Sequence, residues 1–303
     1  MTDFARAVTA SARGRGAPDG QGALLDLLRR GEVVVLAGAG CSTESGIPDY
    51  RGPDGSLKRR APVQYGEFVR RPESRARYWA RSTLGWPRFS ATRPNAAHTA
   101  LARLEAAGVV RGIITQNVDG LHQAAGSRRV VELHGSLAFV RCLACGTRVD
   151  RDDFQRRILG RNRRWADRIR RTAGENGVAP APDGDAELPD PAIAGFDVPP
   201  CSACGGVMKP DVVLFGESVP AETVESAWRL FDQARLLLVV GSSLAVFSGR
   251  RFIYRARDRG IPIAVVNLGP TRADDIATAR VEGRLGAVLP GMAHALQPPP
   301  ATP

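Results

Sequence analysis

Short apolar runs alternate with amphipathic stretches along most of this chain. Glu32–Leu36 (EVVVL), Gly112–Thr115, Val130–Leu133, Asp211–Phe215, Leu236–Val240 and Ile263–Asn267 read as buried strands. Between them, Ala96–Ala107, Ala221–Gln233 and Ser248–Arg259 carry helical spacing. Asn95 suits an N-cap and Gly108 the position just past the C-terminus of the first of these. Residues 53–94 are polar, aromatic and broken by prolines, and read as helical in pieces. Strands alternating with helices predict an α/β chain with a doubly wound parallel sheet. Ligands of such sheets bind outside the carboxyl ends of the strands. Four loops fall there, 38–42, 116–119, 241–243 and 267–269, so segments far apart in sequence are expected to meet in one crevice.

Composition adds limits. The chain has 303 residues and is 43% apolar, enough for one large domain or a large domain with a small satellite. No apolar run reaches the roughly 18 residues of a membrane span. The net charge is +11, but Lys58 and Lys209 are the only lysines, and a general arginine bias weakens any inference of nucleic-acid binding. The Arg-dense stretch Arg156–Arg171 is read as a solvated basic face. Residues 1–22 lack an apolar signal core and read as a disordered extension, which points to the cytoplasm; the Pro-rich 293–303 reads as a disordered tail.

The cysteines change the picture more. Cys142-x2-Cys145 and Cys201-x2-Cys204 supply four thiolates, a complete tetrahedral shell for one structural zinc ion with no open position for substrate. The fifth, Cys41, has no evident base beside it and is read as a small side chain packed under a loop. That loop, GAGCSTESGIPDYR over 38–51, follows a strand. Its glycines would let a pyrophosphate approach the backbone. Gly38 and Gly40 alone also fit a tight turn; the polar residues that follow favour a ligand loop. His134 ends a strand at the expected ligand edge, where an imidazole can serve as a general base near neutral pH.

Together these segments resemble the sirtuin family. The matching stretches are GAGCSTESGIPDYR, PNAAH, TQNVDGLH, ELHGS, the two C-x-x-C pairs, KPDVVLFGE, VVGSSLAV and NLGPTRADD, in the family's order over roughly residues 30–290. RAPVQYGEFVRRP, RARYWAR, GWPRFS and APDGD resemble a narrower branch, the class II sirtuins related to the mitochondrial lipoamidase/ADP-ribosyltransferase type.

The resemblance implies a Rossmann-type NAD-binding domain in three stretches (23–52, 95–141 and 209–292). It also implies a small domain built from a helical module (53–94) and a zinc-binding module (142–208). NAD would be held by Gly38, Ala39, Gly40, Ser42, Thr43, Glu44, Ile47, Asp49, Tyr50 and Arg51, within a loop extending to Lys58. Gln116, Asn117, Val118 and Asp119 would hold the nicotinamide ribose and carboxamide. Gly241, Ser242, Ser243, Asn267, Leu268, Gly269 and Leu285 would contact the adenosine half. Catalysis would rest on His134, Asn117 and Asp119, and Val213, Leu214, Phe215, Gly216 and Glu217 would pair with the substrate backbone. The implied reaction removes an acyl group from a protein lysine. The acyl oxygen attacks the ribose carbon that loses nicotinamide, and His134 draws a proton from a ribose hydroxyl. Tyr78 and Arg81, three apart on a helix, resemble a pair that recognises acidic acyl groups. Two features depart from the wider pattern: Ser242 stands where many members carry Thr, and the 146–200 insert is long. ADP-ribosyl transfer to protein, a non-catalytic NAD-responsive module and a nucleic-acid binder remain as alternatives.

Overall fold

The computed structural model describes residues 20–49, 62–173, 184–186 and 188–297. Its strands are β1 (Val33–Ala37), β2 (Val110–Thr115), β3 (Val130–Glu132), β4 (Gly135–Cys142), β5 (Arg148–Asp150), β6 (Met208–Val212), β7 (Leu236–Val240), β8 (Ile263–Asn267) and β9 (Ala279–Glu282). The helices are α1 (Gly20–Arg29), α2 (Tyr65–Arg70), α3 (Pro72–Ser90), α4 (Ala96–Ala106), α5 (Leu121–Ala124), α6 (Arg151–Arg161), α7 (Arg163–Ala173), α8 (Ala221–Phe231), α9 (Phe247–Asp258) and α10 (Leu285–Ala295).

Six strands form one parallel sheet in the order β3-β2-β1-β7-β8-β9. The strand run VVVLA is buried at every position because both faces are covered. Val33, Val35 and Ala37 point into a core shared with α1, α4 and α10. Val34 and Leu36 point the other way, against α8 and α9. Leu236, Leu238 and Val240 of β7 divide from Leu237 and Val239 in the same way, the alternation that a pleated strand imposes. The strand order reverses between β1 and β7. Their carboxyl-end loops therefore lie side by side, with the Gly40 amide donating to the Gly241 carbonyl at 2.8 Å.

A second sheet, β5-β4-β6, is antiparallel and carries the cysteines. With α2, α3, α6 and α7 it surrounds a core of Phe68, Tyr78, Trp79, Phe154, Ile158 and Trp165. Arg151 is 1% exposed there. Its guanidinium lies 5.2 Å from the Trp79 ring and 5.0 Å from the Trp86 ring and donates to Gln155 and Ser82. Burial lowers its pKa only to about 10, so it stays charged, held by the Gln155 and Ser82 acceptors and the ring faces.

Several segments differ from the sequence expectation. The strand expected at Asp211–Phe215 is Met208–Val212 and belongs to the antiparallel sheet, where Met208 faces Cys142 and Val212 faces Gly135. The more apolar Val213–Phe215 lies beyond it and lines a cavity, with Leu214 also packed into the small-domain core. Helix α1 begins inside the stretch read as disordered, because Leu24, Leu27 and Leu28 are buried against the large sheet; residues 1–19 are outside the described residues. The tail read as disordered from 293 instead starts within α10, whose Met292 and Ala293 are buried. The insert 146–200 contributes α6 and α7, whose Phe154 and Ile158, four apart, are core residues despite six arginines between 151 and 164.

Candidate functional site

The four carboxyl-end loops converge on one cavity of about 1050 Å³ between the two sheets. Loop positions 38–40, 42–44, 116–119 and 241–243, with Asn267 and Leu268, all contribute to its wall, as do Ile47, Asp49, Leu285 and the 213–217 segment. That volume lies at the top of the range for pockets that bury a small ligand, and suits an extended dinucleotide beside a second molecule. Gly269 sits just off the wall, its carbonyl accepting from the Asn267 side chain at 2.9 Å. Tyr50, Arg51 and Lys58 lie outside the described residues.

The glycine loop has a steric reason. A Cβ on Gly38 would stand 2.7 Å from the Ser242 Cβ and 2.8 Å from the Gly241 carbonyl oxygen. Any side chain there would drive the β1 and β7 loops apart. Beyond the glycines, short 3₁₀ turns over Ala39–Cys41 and Thr43–Ser45 aim the backbone and Ser42 inward. Asn95 secures the outer side, donating to the Cys41 carbonyl at 2.8 Å and to Ser45 at 3.0 Å while its oxygen caps α4. Glu44 accepts from the amide of Gly286 at 2.8 Å, tying the loop to the start of α10.

A chain of polar groups crosses the cavity floor. The Asn117 amide donates to the Ser42 hydroxyl at 3.1 Å, and that hydroxyl donates to Asp119 at 2.6 Å. The other Asp119 oxygen accepts the Leu121 amide at 3.0 Å and starts α5. Gln116 donates to Ser242 at 3.0 Å, joining the β2 loop to the β7 loop.

His134 lies between β3 and β4, immediately before Gly135. Its Nδ1 lies 2.9 Å from the Gln116 carbonyl and its Nε2 lies 2.7 Å from the Ser248 hydroxyl. A carbonyl only accepts, so Nδ1 carries the proton and donates. The Ser248 hydroxyl can donate or accept, and when the ring is neutral it donates to the Nε2 lone pair, so the basic atom faces the cavity. Burial pushes its pKa below the ordinary 6.5, reinforced by the Arg251 guanidinium and opposed by the Gln116 contact. Sequence reasoning missed Ser248 and Arg251, the first and second turns of α9: Ser248 reads equally well as a helix start, and no local pattern separates Arg251 from its many neighbours.

Opposite His134, the 213–217 segment rests on a buried ion pair. Lys209 Nζ lies 3.0 Å from Glu217, which also accepts the Leu214 amide at 2.8 Å, and Lys209 donates further to the Val212 carbonyl. Tyr78, 3% exposed, lines the cavity, but Arg81 does not. The expected Tyr78–Arg81 pair is therefore not assembled in the cavity. Gly184 and Leu188 of the insert pack on α3: a Cβ on Gly85 would meet the Gly184 carbonyl at 2.0 Å, and the Arg81 guanidinium donates to the Leu188 carbonyl at 3.3 Å.

Cys41 lies fully buried beneath the loop, as expected, and burial drives its thiol well above the ordinary range. Its Sγ and the ring nitrogens of His98 and His122 lie within 4.8 Å of one another. His122 is 1% exposed, and burial together with His98 pushes its pKa down to about 3. Its folded pKa is thus below its unfolded value of about 6.5. The unfolded chain gains the proton first as pH falls, so stability is lost progressively from about pH 6.5 toward about pH 3. Between pH 7 and pH 5 this one residue is predicted to cost about 2 kcal/mol. His98 shifts in the same direction for the same reason. Urea unfolding at both pH values should show a shallower loss for His122→Gln than for wild type; equal losses would contradict this origin.

The four remaining cysteines meet at one point. Cys142 and Cys204 Sγ atoms are 3.5 Å apart, Cys145 and Cys201 are 3.8 Å apart, and all four lie within 4.8 Å. A zinc ion with bonds of about 2.3 Å needs tetrahedral edges of about 3.8 Å, so the set is positioned for one structural zinc. The two knuckles share a design. The Gly146 amide donates to the Cys142 carbonyl and the Gly205 amide to the Cys201 carbonyl, with φ of 73° and 75°, a region that favours glycine.

The sequence profile of the Sir2 family matches residues 38–248. NAD-dependent protein deacetylase 2 of Bradyrhizobium diazoefficiens is 50% identical over 274 residues, 90% of this chain and 97% of that protein. NAD-dependent protein deacetylase 1 of Streptomyces coelicolor is 52% identical over 273 residues, covering 89% and 88%. A solved complex described as Sir2-p53 peptide-NAD+ superposes with a TM-score of 0.69 at 30% identity, over 90% of this chain and 96% of the other.

Proposed function

The chain belongs to the Sir2 family, and from that premise we propose that it is an NAD-dependent protein deacetylase, or more broadly a deacylase, acting on acylated lysine in proteins. The observation that carries the reading is His134, whose basic Nε2 opens into a cavity assembled from all four switch-point loops. NAD is consumed here; it supplies a ribose carbon that becomes electrophilic as nicotinamide leaves and that accepts the acyl oxygen. The protein's part is to hold, orient and move one proton. Beside the glycines, Ala39, Thr43 and Glu44 offer backbone amides to the pyrophosphate. Ser42 and Asn117 orient the nicotinamide ribose, and Val118 and Asp119 take the carboxamide. Gly241–Ser243, Asn267, Leu268 and Leu285 flank the adenosine half. Residues 213–217, held by Glu217 and Lys209, present backbone groups to an extended peptide. His134 takes the proton of a ribose hydroxyl on Nε2 once that hydroxyl replaces Ser248 there.

The same proposal places the chain in class II, on the stretches within 60–90 and at 181–185 that resemble that branch. It also places it in the reducing cytoplasm, where four thiolates stay available to zinc. The basic surface is read as solvated rather than as a nucleic-acid interface. Among the described residues no helix is long and apolar enough to cross a membrane.

Mass spectrometry tests the reading. An acetyl-lysine peptide incubated with the protein is expected to lose its acetyl group only with NAD present, yielding nicotinamide and an equal amount of acetyl-ADP-ribose. ADP-ribose attached to protein, with the peptide intact, would replace the deacylase reading with ADP-ribosyl transfer.

A further inference from the structure

Arg251 lines the cavity beside the catalytic centre and has no assigned task. It stands one helical turn beyond Ser248 on α9, on the same face, and is close enough for its charge to act on His134. Its Nε is buried without a hydrogen-bond partner. Among the described residues its guanidinium lies over the ring of Phe247, 5.7 Å from the ring centre, and Phe247 is 60% exposed at the cavity mouth. The acids of the same wall are engaged elsewhere: Glu44 with the Gly286 amide, Asp119 with Ser42 and Leu121, Glu217 with Lys209, and Asp49 too has a partner of its own.

A partly desolvated guanidinium with open donors, facing a ligand cavity, is a costly arrangement unless the ligand brings an anion. NAD's pyrophosphate has its own seat at the glycine loop. The anion at Arg251 therefore belongs to the second molecule. Resting on the deacylase reading, we infer that Arg251 is a specificity residue that pairs with a carboxylate of the acyl-lysine substrate. That carboxylate is either the end of an acidic acyl chain or a side chain beside the modified lysine. This moves acid recognition from Arg81, which the Leu188 carbonyl of the insert holds outside the cavity, to α9.

Equilibrium binding, read by fluorescence anisotropy of labelled peptides, tests this without turnover. One arm compares a glutaryl-lysine peptide with its terminal-amide analogue. A second compares acetyl-lysine peptides carrying Glu or Gln on either side of the lysine. Wild type should favour the acid in one arm by about tenfold or more, the scale of a charge-assisted hydrogen bond. Arg251→Met should erase that ratio and Arg251→Lys restore part of it, since lysine keeps the charge and loses the fork. The arm that responds names the carboxylate. Ratios near one in wild type, or ratios that survive Arg251→Met in a variant with wild-type melting, overturn the inference. NAD-dependent turnover of the plain acetyl peptide, measured separately, decides the deacylase reading, so the two can fail independently.

Discussion

Replacing His134 with alanine is expected to lower kcat for lysine deacylation by about 10²- to 10⁴-fold, the usual contribution of a positioned general base. KM for NAD and for the peptide should change far less, because the pyrophosphate loop, Asn117 and the 213–217 segment are untouched. The ring's hydrogen bonds make the argument specific. Gln116 fixes the proton on Nδ1, which leaves Nε2 basic without any protonation change on binding. The pH profile should carry the signature. The active form is neutral, and burial holds the folded pKa below 6.5, so kcat stays level down to about pH 6.5 and declines only as pH falls further. The residual rate of His134→Ala should lack that acid limb. Full kcat in the variant, or an acid limb common to both proteins, would remove His134 from the base role.

The parts of this site that were legible in the sequence are those where one local pattern has one physical cause. VVVLA and LLLVV are buried on both faces, so a plain apolar run sufficed to place β1 and β7 and the loops at their ends. Asn95 and Gly108 marked the ends of α4 because capping is a local affair. The two C-x-x-C pairs meet across about 55 residues of intervening chain because zinc ligation tolerates any spacer that closes.

What stayed hidden depends on partners distant in sequence. The VVLF run reads as a strand by hydrophobicity alone, yet β4 pairs with the less apolar MKPDV, and Phe215 is left 40% exposed on a cavity lip. Arg81 looked equivalent to Tyr78 by helical spacing. Only the insert loop over α3, whose Leu188 carbonyl holds the guanidinium, separates them. Ser248 and Arg251 gain meaning from His134, more than 110 residues earlier in the chain, and nothing in their own neighbourhood announces it. Helix α10 was obscured by Gly286, Pro290 and Gly291, residues that disfavour helices in isolation and are overridden here by Leu285, Val288 and Leu289 in the core.

Stripping the zinc is expected to dismantle the small sheet and abolish turnover together. Structural zinc on four thiolates contributes on the order of 10 kcal/mol or more, above the whole stability of most domains. The sulfurs join the end of β4 to the segments on either side of it, and their neighbours Val140, Phe154 and Met208 share one core. That core reaches the chemistry by two short routes. β4 begins at Gly135, the residue after His134, and β6 runs directly into the 213–217 lip, where the Val213 amide donates to the His134 carbonyl at 2.8 Å. Cys145 and Cys204 are exposed, so a chelator has access to the ion. Chelation, or Cys201→Ser, should open the 143–204 region to trypsin, whose arginine sites are dense there. The large sheet, with its own two cores, should keep its cooperative unfolding. Deacylation should then fall below detection and return when zinc is restored to the chelated protein. A chain with under one tenth of a zinc per molecule that stays protease-resistant and active would show that the four cysteines hold the fold without metal.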